Sequence, residues 1–214
     1  MAINADLPTS ADDLPHLIAH ESYPGHHTEH CRKEAGIVAA GQIEHTLFLV
    51  NTPQCLMAEG LADLALETIV GPGWGAWAQE IYADLGLRFD GAVAEQVAAA
   101  RAGLAAVRQD AALLLHDRGS GADTAAAHLQ RWALMSPERA RHSLRFLTSP
   151  LWRAYISTYV EGYRLLGTWL TADVPGGDTI GRFGRLLDEP LIPAALRAEL
   201  ATADAGGAGT PGAR

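Results

Sequence analysis

The 214 residues, 48% hydrophobic and 19% charged, can bury a substantial core and set one domain, or at most two small ones, as the expectation. Sixteen Lys and Arg against 25 Asp and Glu leave a net charge of −9, which excludes a chain built to neutralise nucleic-acid phosphates or an anionic membrane surface. Two cysteines, Cys31 and Cys55, are too few for a disulfide scaffold and form no Cys-x-x-Cys pair, so a reducing, cytoplasmic setting is expected.

From the N-terminus, Met1 to Pro8 lacks the basic and apolar regions of a signal peptide, and no run approaches the ~20 apolar residues of a membrane span. Ser10 followed by Asp13 predicts a capped helix from about Ala11 through His20. Pro24-Gly25 then removes a backbone donor and relaxes φ, so this helix must bend, bulge or restart before His26, continuing to about Glu34 and ending at Gly36. Gln42 to Val50 is short and apolar and is read as helix. Thr52-Pro53, a cap followed by a proline at the first helical position, opens a helix through Glu59, Asp63 and Glu67 that Gly71-Pro72-Gly73 stops. Trp74 to about Gly86 is the next.

Alanine-rich Gly91 to Asp117 carries Val93, Val97, Leu104, Val107 and Leu114 at helical spacing and is predicted as one long helix capped by Asp90. A helix from Ala122 to Leu134 follows. Ser136-Pro137 and Ser149-Pro150 repeat the cap and proline signature, predicting helices of about ten and about twenty residues. Ile180 to Leu187 and Pro193 to Leu200 close the fold. No period-2 strand, repeat or phosphate-binding glycine loop interrupts this pattern. The expectation is an all-α fold of about eight to ten helices over residues 1–200, with the His-rich helix packed on the Glu59 helix. The Gly- and Ala-rich segment 201–214 is set apart as a disordered tail.

Five of the nine histidines lie between His16 and His30, and His20-Glu21-Ser-Tyr-Pro-Gly-His26-His27 concentrates the chemistry. In H-E-x-x-H helices, imidazoles four apart share one face and reach one zinc while the glutamate faces the water to be activated. Here His26 is six residues past His20 and His27 seven past. On an unbroken helix the first lies about 240° around the axis and the second some ~10 Å along it, so neither pairs with His20 around one ion. A two-residue insertion taken up as a bulge at Pro24-Gly25 would bring position i+6 into the role of i+4. His20 and His26 then become ligands and His27 lies behind them or faces substrate, although exchange between the two neighbours stays open. Glu59 is the candidate third ligand. Asp63, four residues on and on the same helix face, can accept the distal N–H of a ligating histidine; this Glu-x-x-x-Asp spacing resembles that of thermolysin-like zinc peptidases.

The run His-Glu-Ser-Tyr-Pro-Gly-His-His, with Glu59-Gly-Leu-Ala-Asp-Leu-Ala-Leu-Glu67 downstream, resembles the bacterial family catalogued as domain of unknown function 885, whose members look like helical gluzincin metallopeptidases related to the thimet-oligopeptidase and carboxypeptidase-Taq type. Tyr159-Val-Glu-Gly162 and Phe183 to Leu187 are similar to weaker blocks of the same family. Leu61 stands where the family usually has tryptophan. Family members are much longer, so the chain looks like a C-terminal half.

The resemblance favours His26 over His27 and implies amide-bond hydrolysis of a peptide or small amide substrate. Zn2+ is the implied cofactor, with Mn2+ or Fe2+ as alternatives, and Glu21 is the implied general base. Related peptidases stabilise the oxyanion with a tyrosine or histidine, which makes Tyr159, Tyr155 and His142 candidates. The remaining histidines are read as ordinary surface or core groups, and Cys31 and Cys55 as small packed residues. A non-catalytic relative keeping a structural metal, or a binding module, is the alternative.

Overall fold

The computed structural model describes residues 9–174 and 177–207. The signal-peptide expectation at Met1 to Pro8 and the tail expectation for 208–214 lie outside them. The regular secondary structure of the described residues is all helical, with no strand, as the periodicities predicted. None of their helices is long and apolar enough to cross a membrane. The chain divides into two compact units, one of Met1–Pro72 with Glu161–Arg214 and one of Gly73–Val160.

The first unit is built around α3, Pro53–Ile69. Thr52 is its N-cap, its hydroxyl accepting from Cys55 N at 3.2 Å, and Pro53 fills the first position where no donor is needed. Residues on every side of α3 are buried, among them Met57, Leu61, Leu64 and Leu66, as a helix enclosed by neighbours requires. Those neighbours include α1, Asp13–Glu21, α2, His26–Lys33, α10, Thr179–Asp188, and α11, Pro193–Gly207. Another is α9, Ile156–Thr171. It crosses α3 where Gly60 meets Gly162: a Cβ on Gly60 would lie 2.5 Å from the Gly162 carbonyl carbon, and one on Gly162 would lie 2.5 Å from Leu56 O. Only glycine fits either position.

The second unit packs α4, Trp74–Asp84, on α5, Gly91–Ala102, and α6, Val107–His116, on α7, Ala122–Trp132, which in turn meets α8, Pro137–Thr148. Its core is small and aliphatic: Val107, Ala111, Ala125, Leu129, Ala140, Leu144, Leu147 and Ile156.

Several elements differ from expectation. Gln42 to Val50 is not an α-helix; a 3-10 turn covers Ile43–Thr46, and Leu47 turns extended with its side chain exposed. The long alanine-rich helix breaks at Gly103 through Ala106 into α5 and α6, so that α6 can turn back onto α7. Ser149-Pro150 opens turns rather than a helix. α9 starts only at Ile156, and in its first turn the Ser157 and Thr158 hydroxyls bond back to the carbonyls of Ala154 and Tyr155. At the far end, α11 runs to Gly207, into the segment expected to be tail.

Candidate metal centre

The Pro24-Gly25 break sets the geometry. α1 ends at Glu21, with Ser22 N still bonded to Ile18 O at 2.9 Å. The next carbonyl, Ala19 O, accepts not from residue 23 but from Gly25 N, at 2.9 Å, and Ser22 O accepts from Thr28 N at 3.3 Å. Both are i→i−6 bonds, two residues longer than the α-helical step. Normal i→i−4 bonding resumes with Glu29 N to Gly25 O at 3.0 Å. The Tyr23–Pro24 peptide within the break is cis. The chain thus throws out two residues and re-enters the helical path, and α2 begins at His26. Gly25 makes re-entry possible, because a Cβ there would sit 1.9 Å from His20 O.

This detour brings His20 and His26 edge to face, ring centroids 4.7 Å apart at 89°. Both present Nε2 to Glu59 of α3: His20 Nε2 is 3.5 Å from Oε2, and His26 Nε2 is 3.7 Å from Oε1. One ligand atom from each of the three residues fits within 4.8 Å of the others. Their other ring nitrogens meet carboxylates. Nδ1 of His20 lies 2.9 Å from Asp63 Oδ1, and Nδ1 of His26 lies 3.9 Å from Glu29 Oε2. Glu29 is 3% exposed, and its other oxygen takes the Lys33 ammonium at 2.5 Å.

The electrostatics follow from this crowding of carboxylates. Burial of the His20 ring lowers its pKa, but Asp63 and Glu59 outweigh burial and raise it to about 9. For His26, burial again opposes charge, and Glu29 and Glu59 raise the pKa to about 9. Burial of Glu29 pushes its carboxyl upward, yet His26 and Lys33 hold it below the usual carboxylate range. In the metal-free protein the two imidazoles therefore carry protons near neutrality, and a bound cation would displace them.

The donor set fits a divalent ion. Separations of 3.5 and 3.7 Å are too long for good hydrogen bonds. They are close to the ~3.4 Å edge of a tetrahedron of donors ~2.1 Å from a common centre. Two imidazole nitrogens and one carboxylate leave a fourth position open, as catalytic zinc sites do.

The other predicted residues are placed as follows. Glu21 is the last residue of α1 and is exposed. His27 does not join the three-residue group; it is exposed, its ring 5.2 Å from that of Tyr23 and its Nε2 3.7 Å from Cys31 Sγ. Tyr159 belongs to the second unit, packed against that unit's aliphatic core with its ring 5.4 Å from Tyr155. His142, also in that unit, bonds Arg145. Leu61 is buried in the core at 1% exposure. Sequence reasoning missed Glu29 and Lys33. Their spacing, three residues past His26 and a further four, sets them on one helix face but does not mark either as buried. No match to this chain was found among protein-family models, curated proteins or solved structures.

Proposed function

We propose that the chain is a metal-dependent, peptidase-like hydrolase acting on peptide or small amide bonds in the cytoplasm. His20, His26 and Glu59 hold the ion in this reading, and zinc is favoured by the mixed imidazole and carboxylate donors. The observation that carries it is the pair of Nε2-to-Glu59 separations, which match a shared centre better than hydrogen bonds. Asp63 supports it from behind, since a carboxylate on Nδ1 keeps Nε2 of His20 free to ligate.

When bound, the ion supplies Lewis acidity that polarises a carbonyl and lowers the pKa of a water toward ~7. Glu21, the residue next to His20, takes the water's proton and returns it to the leaving amine. The resemblance of His20 to His27 and of Glu59 to Glu67 to gluzincin segments supports amide hydrolysis as the reaction class. The exposure of Glu21 at the end of its helix favours a second reading, a metal centre without turnover.

The test is metal analysis of the purified chain beside Glu59→Ala. Stoichiometric zinc in the first and its loss in the second is expected, and a wild-type chain that takes up no divalent ion refutes the proposal. Cleavage of a mixed peptide library by the zinc-loaded protein selects the first reading over the second.

A further inference from the structure

α2 reads His26-His27-Thr28-Glu29-His30-Cys31-Arg32-Lys33, and the residues it buries are Glu29 and Lys33. A short helix with so polar a sequence does not form on its own. Arg32 ties it to Asp188 of α10 through two bonds of 2.5 Å, both partners about half exposed. The surface pair thus joins α2 to α10. It does not account for a carboxylate at 3% and an ammonium at 8% exposure. A buried ion pair is a poor source of stability, because desolvation of both charges offsets their attraction.

The Glu29 carboxylate is divided in its use. Oε1 takes Lys33 Nζ at 2.5 Å. Oε2 is buried, has no hydrogen-bond partner, and lies 3.9 Å from His26 Nδ1. A shift of about 1 Å closes that gap to hydrogen-bond range, and no existing bond of Oε2 has to break. Across the site, Asp63 already stands in this relation to His20, at 2.9 Å.

We propose that Glu29, clamped through one oxygen by Lys33, is the positioning residue of His26: its second oxygen takes the Nδ1–H, and Nε2 is left to face Glu59 and the ion. The inference rests on the metal-centre reading. It makes the site two-sided, each histidine backed by its own carboxylate, and assigns the buried charge pair to ligand orientation.

The test uses the full chain. Glu29→Met with Lys33→Met removes both charges together at similar volume, which avoids leaving one of them buried alone. Its melting temperature is expected near that of wild type, while its Zn2+ dissociation constant, measured by chelator competition, rises ~10–100-fold. Glu29→Gln with Lys33→Met keeps one acceptor oxygen and is expected to fall between the two. A methionine pair that binds Zn2+ within twofold of wild type overturns the inference and leaves the metal centre standing. A wild-type chain that binds no Zn2+ overturns both. A readout that needs no variant at position 29 is the His26 tautomer in the zinc-loaded wild-type protein, from long-range 1H–15N correlation. A proton on Nδ1 with Nε2 ligated is expected; a ring with no proton on Nδ1 overturns the inference.

Discussion

Among the described residues the two units bury different things. The first buries Glu29, Lys33, Glu59 and Arg182, whereas the second buries Ser143 and Thr158 and otherwise apolar side chains. The first unit's charges are themselves of two kinds. Arg182 bonds the carbonyls of Leu170 and Gly177, so it stitches the α9–α10 turn. Glu29, Lys33 and Glu59 face titratable partners instead. A core that accepts charges of this second kind gives up packing stability, and in the proposed function what it gains is a metal centre. In the second unit the same volume goes to Ala111, Ala125, Leu129 and Leu147, which do nothing but pack.

The division can be attacked directly. The largest effect is expected from Glu21→Gln, which should lower hydrolysis by ~10²–10⁴-fold while zinc content and melting temperature stay as in wild type. Undiminished turnover removes Glu21 from the reaction. Leu129→Ala, at a fully buried position of the second unit, should cost about 2–5 kcal/mol in denaturant unfolding with Zn2+ affinity of the folded protein unchanged; a matching loss of affinity would erase the contrast. The third is pH. His20 and His26 are raised to about 9 in the folded chain from the ordinary 6.5. Their contribution to the metal-free protein is therefore complete below about pH 6.5 and is lost as pH rises through about 9. Zinc binding runs the other way, because the ligands must shed those protons. The stabilisation that zinc confers should accordingly grow across the same window, and a flat profile would mean that the imidazoles are not its ligands.

What could be read from the sequence followed the range of the forces involved. Thr52-Pro53, Asp90 and Ser136-Pro137 are local devices, and each caps the helix that it announces. His20, Glu59 and Asp63, with either His26 or His27, were legible as a group from two helical spacings and one proline-glycine break, and the family resemblance selected His26. Glu29 was not legible. Three residues from a histidine on a polar helix, it reads as a solvated charge, and only the packing of α2 against α3 and α10 buries it. The alanine-rich stretch misled for a related reason. High helix propensity in 91–117 says nothing of the turn at Gly103 to Ala106, which follows from the pairing of α6 with α7.

The i→i−6 bonds at Ala19 and Ser22 also change how the motif should be counted. If the helix is numbered by its hydrogen-bonded phase, Tyr23 and Pro24 drop out of the tally. The remaining letters are His20-Glu21-Ser22-Gly25-His26, two histidines four steps apart with a glutamate between them. The His-Glu-x-x-His spacing is contiguous in the ladder and interrupted only in the chain. A pattern search that scores letters in chain order will pass over such a site, whereas one that scores which carbonyl each amide reaches will find it.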